Sequence, residues 1–177
     1  MLNSLGSGYS SDVIAGLVWC ASQGAKVVNL SLGGGKYAGS CDNEPVAQAA
    51  NSLVSQGVSV IAASGNEGYT AYLAAPACGS KVIAVGAVDK SDGRTPYANE
   101  GSELDVVAPG SAITSVQLGG GFIAYSGTSM ATPHTVGSVA LMLEAASSLT
   151  PEGVRSLLTS SSVDLGASGF DTIFGWG

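Results

Sequence analysis

The sequence predicts an α/β fold, a three-layer sandwich with a mainly parallel sheet and helices on both faces. Three observations carry that expectation. Short, nearly continuous apolar runs at 25–32, 58–63, 82–88 and 104–107 read as strands buried on both faces. Between them lie segments whose apolar residues recur with a period near 3.6. Glycine punctuates the elements, and its 26 copies in 177 residues are about double the usual share of roughly 7%. Strands and amphipathic helices in alternation place the helices as crossovers covering a parallel sheet.

The elements follow in order. Residues 10–23 set Val13, Ile14, Leu17, Val18 and Ala21 on one helical face, with Ser10 or Ser11 as N-cap and Gly24 as stop. Cys20 shares that spacing and is expected to be a buried free thiol. The strand at 25–32 ends at Gly33-Gly34-Gly35. Pro45 suits the first turn of a second helix, which runs through Leu53 and Val54 to Gly57. Strands at 58–63, 82–88 and 104–107 come next, then a hairpin pairing 113–116 with 121–125. A long helix follows Gly127, and a last one opens at Thr150-Pro151-Glu152. No repeat or low-complexity linker interrupts the chain, so residues 1–177 read as a single domain.

Composition narrows the function classes. Charged residues make up 11% against the roughly 25% of ordinary chains, and the net charge is −7. Nucleic acid and anionic membranes are therefore poor partners. No apolar run approaches the roughly 18 residues of a membrane span. The first eight residues lack both a basic and an apolar region; they read as a polar loop entered in mid-fold and not as a signal peptide. Three cysteines allow one bridge and one thiol. Cys41 and Cys78, both in loop sequence, are the plausible pair, with two reduced surface cysteines as the alternative. A bridge would favour an extracellular setting. Asp42, Asn43 and Glu44 cluster, and Asp89 and Asp92 bracket a turn. Calcium requires six to eight converging oxygens, so these read as solvated turn residues and no metal ligand is assigned.

Chemistry concentrates in Ser126-Gly127-Thr128-Ser129-Met130-Ala131-Thr132-Pro133-His134. A serine at a helix start has unpaired backbone N–H groups and the positive dipole end beside it. Those surroundings suit a nucleophilic oxygen that forms an acyl intermediate. Asn66, flanked by Gly65 and Glu67-Gly68 after a strand, can aim an amide at the same cleft. The Asn66 side chain and the Ser129 backbone N–H would then be two donors to an oxyanion. The plainer reading of Asn66 is a turn residue that tolerates the left-handed region.

The Ser129 motif resembles the nucleophile motif of the subtilases, the subtilisin-like serine peptidases, which usually reads G-T-S-M-A-x-P-H. The resemblance extends over nearly the whole chain. Residues 27–34 look like the family's substrate-binding strand, implying that Ser31, Leu32 and Gly33 pair with an extended peptide. Residues 62–66 resemble the segment carrying one wall of the side-chain pocket and the oxyanion asparagine, implying roles for Ala63, Ser64 and Gly65 as well as Asn66. Thr128 joins the substrate-binding set by its place in the motif. The pocket floor falls on Ala74 or Ala75, and Glu67 either edges the pocket or is an ordinary loop glutamate. Residues 82–87 and 104–110 resemble two further core strands, and 174–177 the start of the closing segment. Thr132 and Thr135-Val136 depart from the family pattern on helix faces only. By resemblance the chemistry requires no cofactor, while structural calcium is a family possibility without ligands placed here.

The resemblance also exposes an absence. The serine needs a general base within about 3 Å, and the chain has one histidine, His134. Five residues after Ser129 on one helix, it lies about 140° round and about 7.5 Å along the axis. It is expected to be a packed structural histidine. The family's aspartate and histidine motifs, D-T/S-G and H-G-T-H, do not occur in these residues. The chain thus reads as a partial, C-terminal two-thirds portion of a secreted peptidase domain, inactive alone, with polypeptide as substrate and the missing N-terminal part of the domain as partner. A peptide-binding pseudo-peptidase is the alternative. A sedolisin-like peptidase is disfavoured by Met130 and His134, and an α/β-hydrolase by Ala131 in place of a second glycine. A nucleotide site at Gly33-Gly34-Gly35-Lys36 would lack a helix N-terminus, since the next helix begins near Glu44.

Overall fold

The computed structural model describes Asn3 and residues 6–177. The reading of the first eight residues as a polar loop therefore lies partly outside the described residues. Helix α1 (Ser10–Ser22) leads into strand β1 (Val27–Leu30), followed by β2 (Gly34–Tyr37), α2 (Pro45–Ser55), β3 (Ser59–Ala63), β4 (Leu73–Ala75) and β5 (Ile83–Val88). Then come β6 (Val106–Pro109), the hairpin of β7 (Ile113–Val116) and β8 (Phe122–Tyr125), α3 (Thr128–Ala145) and α4 (Pro151–Ser161).

Four strands form a parallel sheet in the order β1-β3-β5-β6. Its central strands β3 and β5 are buried along their whole length, because each of their faces is covered. Val60 and Ala62 of β3 and Ala84 of β5 pack with Val13 and Leu17 of α1 and Ala47, Ala50 and Leu53 of α2. The alternate residues, Ile61, Ile83, Val85 and Ala87, face the other way onto Ala131 and Val139 of α3 and Val154 of α4. The two-residue period of the strands thus produces two cores from one sheet, and the three-layer α/β architecture is confirmed.

Local chemistry accounts for the helix limits. Glu44 accepts from the Ala47 N–H at 2.8 Å and Thr150 from the Gly153 N–H at 3.2 Å, each just ahead of a proline at the helix start. Gly24, at φ +75°, ends α1, where Ala25 N donates to Cys20 O and Gly24 N to Ala21 O.

The structure corrects several expectations. The N-cap of α1 is Tyr9, with no side-chain cap bond, instead of Ser10 or Ser11. Val18 is 58% exposed, because α1 turns Val13 and Leu17 inward and leaves Val18 and Trp19 on its outer side. Cys20 is free but only half-buried. The glycines at 34 and 35 do not end regular structure; β2 pairs antiparallel with β4, Gly34 opposite Ala75 and Tyr37 opposite Leu73. Cys41 and Cys78 are joined by a disulfide, and Cys41 N donates to Cys78 O at 2.9 Å. Among the described residues no helix is long and apolar enough to cross a membrane.

Candidate active site

The carboxyl ends of β1 and β3 and the amino end of α3 meet at one place. Gly127 ends the approach to α3 with φ 155° and ψ 161°, a conformation open essentially only to glycine. That turn delivers Thr128 and Ser129 into the first helical turn, where backbone N–H groups have no helical acceptor. The Ser129 hydroxyl donates to Ser31 O at 3.2 Å, and the Ser31 hydroxyl donates back to Ser129 O at 2.8 Å. Asn29 Nδ2 in turn donates to the Ser31 hydroxyl at 3.0 Å. The serine is therefore docked on the end of β1 by a reciprocal pair of bonds.

Asn66 is oriented from the α3 side. Its Oδ1 accepts from the Thr128 N–H at 2.8 Å and from the Thr128 hydroxyl at 3.1 Å. With the oxygen so engaged, Nδ2 is left without a hydrogen-bond partner among the described residues, beside the residue that precedes Ser129. The loop beneath is organised by Asn99, which is fully buried. Asn99 Oδ1 accepts from Glu67 N at 3.0 Å and Tyr69 N at 3.1 Å, while Nδ2 donates to Ser64 O at 3.2 Å and Glu67 Oε2 at 2.7 Å. Gly65 is obligatory here: at φ +110°, a Cβ would stand 2.1 Å from Asn99 Nδ2.

The residues singled out from sequence divide into two groups. Ser31, Leu32, Gly33, Asn66 and Ser129 line one cavity of about 650 Å³, together with Ala75. Gly33 also requires its missing side chain, since a Cβ would lie 2.9 Å from Ala75 O and 3.2 Å from the Ala74 Cβ. Ala63, Ser64, Gly65 and Thr128 do not line that cavity. Ser64 and Thr128 are fully buried, the one bonded to Asn99 O and Val85 O, the other to Asn66 and Gly65; both act as scaffold. Glu67 is turned onto its own loop, where Oε2 accepts from Asn66 N and Asn99 Nδ2, so it does not reach out as a pocket edge.

His134 departs from its expected packing. It is exposed, and Nδ1 is 2.8 Å from Met130 O one turn back on α3. The Ser129 hydroxyl meets Ser31 instead, so the two residues do not form a couple.

The carboxylates considered for calcium do not converge. Both Asp42 oxygens are engaged, with Ser80 N, the Ser80 hydroxyl and Asn51 Nδ2. Those bonds, the Ser80 N–H first, hold the Asp42 carboxyl below the usual carboxylate range. Asp89 accepts from Ser91 N and Gly93 N and is likewise lowered, chiefly by the Gly93 N–H. Among the described residues no three or more His, Cys, Asp or Glu side chains group as metal ligands, so no calcium ligand is assigned.

Comparison with known proteins gives this geometry its context. The model of the subtilase family matches residues 1–177, and the chain belongs to that family. Subtilisin of Bacillus pumilus is 44% identical over 171 residues, which cover 95% of this chain and 60% of that protein. Subtilisin E of Bacillus subtilis (strain 168) is 44% identical over the same length, covering 44% of its sequence. The crystal structure of a cold-adapted subtilisin-like serine proteinase superposes with a TM-score of 0.87 at 38% identity, covering 97% of this chain and 61% of that one. The chain thus spans roughly half of the length of the curated relatives it matches.

Asn99 was not singled out from sequence. An asparagine followed by Glu100-Gly101 looks like any turn, and only the loop folded over it shows which groups it serves.

Proposed function

We propose that these residues carry the nucleophile and oxyanion half of a serine endopeptidase site, in one portion of a single catalytic domain. The observation that supports this most directly is the alignment of Asn66. Its oxygen is held by Thr128, which leaves its amide N–H₂ and the Ser129 N–H as two unpartnered donors beside one hydroxyl. In the proposed reaction Ser129 Oγ attacks a peptide carbonyl carbon and the carbonyl oxygen becomes the oxyanion held by those donors. The C–N bond then breaks, the amine leaves with a proton, and water releases the acyl group in a second step. Every group named is a side chain or backbone group, so the proposed chemistry calls on no cofactor.

A base must take the Ser129 proton, and neither His134 nor any other described group is placed to do so. We assign that role to an aspartate–histidine pair in a segment of the domain outside these residues, seated against the open edge of β1. The 177-residue chain alone is then expected to be inactive. The disulfide supports an extracellular location for the protein that contains the chain.

The test is fluorophosphonate labelling and peptide hydrolysis by the full-length protein and by the isolated chain. The full-length protein should label at Ser129 and lose labelling with Ser129→Ala. Asn66→Ala should lower kcat by about 10²–10³, the range known for deleting one oxyanion donor in a subtilisin. Turnover by the isolated chain that Ser129→Ala abolishes would refute the assignment of the base to another segment. Peptide affinity in the full-length protein without labelling would support the pseudo-peptidase alternative.

A further inference from the structure

The cavity containing Ser129 continues along residues 31–35 to a region of different chemistry. There it is lined by Tyr37 of β2, by Val46 of α2 with Glu44 just ahead of it, and from α1 by Val13. Among the described residues that line it, Glu44 is the one acidic or basic side chain. Its Oε2 is fixed by the Ala47 N–H, while its other oxygen has no partner among the described residues. The carboxylate is half-buried and held in place by the start of α2.

The cation nearest in sequence is engaged elsewhere. The register of β2 shifts between Gly34 and Tyr37, and Tyr37 lines the cavity while Lys36 does not. The Lys36 ammonium lies 4.5 Å and 4.3 Å from the ring centres of Tyr69 and Tyr72, which occupy it. Among the described residues no lysine or arginine lines the cavity to neutralise Glu44. The Tyr37 ring folds back over Gly35, where a Cβ would come 2.5 Å from its Cε2, so that ring forms part of the wall.

We infer that the groove selects peptides with a lysine or arginine side chain seated between Tyr37 and Glu44. This rests on the proposed function only in taking the ligand to be a peptide. A long basic side chain matches the surface in sequence: its methylene stem lies on Val13 and Val46, its charged head reaches the open Glu44 oxygen, and the Tyr37 ring contributes a cation–π contact. A neutral side chain of equal length keeps the apolar part alone, and an acidic one meets like charge. The net charge of −7 draws basic peptides to the groove in the same sense.

The test uses fluorescence anisotropy on the full-length protein carrying Ser129→Ala, so that binding is read without cleavage. The probes are labelled hexapeptides identical except for lysine, norleucine or glutamate at one position at a time. At one position lysine should bind about tenfold more tightly than norleucine, and glutamate more weakly. Glu44→Gln should bring the lysine preference below about twofold, and Glu44→Lys should turn it toward glutamate. Raising salt to about 1 M should shrink the preference, since screening then acts within about 3 Å. The inference is overturned if no position prefers lysine, if the preference survives both substitutions, or if no hexapeptide binds. Hydrolysis of the norleucine peptides by the unsubstituted protein is read separately. Hydrolysis without a lysine preference removes this inference alone, and a preference without hydrolysis removes the peptidase reading alone.

Discussion

The two edges of the parallel sheet are finished by different means. Beyond β6 the last residues of the chain close the edge: Val107 N donates to Gly177 O and Trp176 N to Asp105 O, both at 2.9 Å. Arg155 of α4 locks that corner, with Nε and Nη2 on Asp105 at 2.7 and 2.9 Å and further bonds to Ser80 O and Val82 O. Asp105 also accepts from Ala84 N at 2.8 Å, so one carboxylate ties β5, β6 and α4 together. Beyond β1, by contrast, no strand lies among the described residues; Asn29 is exposed and Val27 half-buried. An unpaired edge on an apolar parallel strand is a template for another strand, because its N–H and C=O groups have no other partner than water. That is why the proposed acid–base segment is placed there. A second set of ties joins the loop before α2 to the segment before β5, through the Cys41–Cys78 disulfide and the Asp42 bonds to Ser80, with Asp42 also bonded to Asn51 of α2.

Breaking the closed edge should have the largest effect. Arg155→Ala strands the Asp105 carboxylate, which with Arg155 is largely buried, and should cost about 3–5 kcal/mol in urea unfolding. Hydrogen exchange in β6 and in residues 174–177 should rise at the same time, while β1 amides, already on an open edge, should change little. An unaltered midpoint would show that the pairing of residues 176 and 177 closes the edge without the clamp.

Removing the covalent tie should rank second. Cys41 and Cys78 are 37 positions apart, so the paired change to serine should cost about 2–4 kcal/mol, most of it through the freed unfolded chain. A loss larger than that of Arg155→Ala would reverse the ranking of the two ties.

The smallest effect belongs to Asp42. Its folded carboxyl titrates below the ordinary value, so its bonds contribute stability above the unfolded pKa near about 3.9, and that contribution fades as pH falls through the folded value. The group is exposed, which keeps the contribution below about 1 kcal/mol. Asp42→Asn should flatten the stability–pH curve in that acid window and leave it parallel above about pH 5; an unchanged slope would remove Asp42 from the account.

Much of the fold was legible from residues close in sequence. Apolar runs marked β3 and β5, and Pro45 and Pro151 with their capping neighbours marked the helix starts. The β2–β4 pair was hidden because Gly34-Gly35 has the composition of a break, and its pairing depends on Leu73 and Ala75, which follow it by a long stretch of chain. The outer position of Val18 was hidden for a related reason: periodicity defines an apolar face but not which part of it meets a neighbour. At the candidate site, the glycine-led motifs singled out Ser129, Asn66 and Ser31, which line one cavity, but not Asn99 or the burial of Thr128. Glu44 was seen only as part of an acidic cluster, since nothing near it in sequence says that a groove passes it.

The sequence by itself determined the family, the layered α/β class, the serine at a helix start and the absence of a histidine able to serve it. The family rests on the resemblance of its motifs, and the rest on composition, local periodicity and spacing along one helix, which are interactions of a few residues' reach. Only the tertiary structure decided which donors are free, which edge of the sheet is closed, and that Tyr37 and Glu44 share a cavity with Ser129. These depend on groups far apart in the chain competing for the same hydrogen bonds and the same buried space, and that competition is resolved only once the chain has folded.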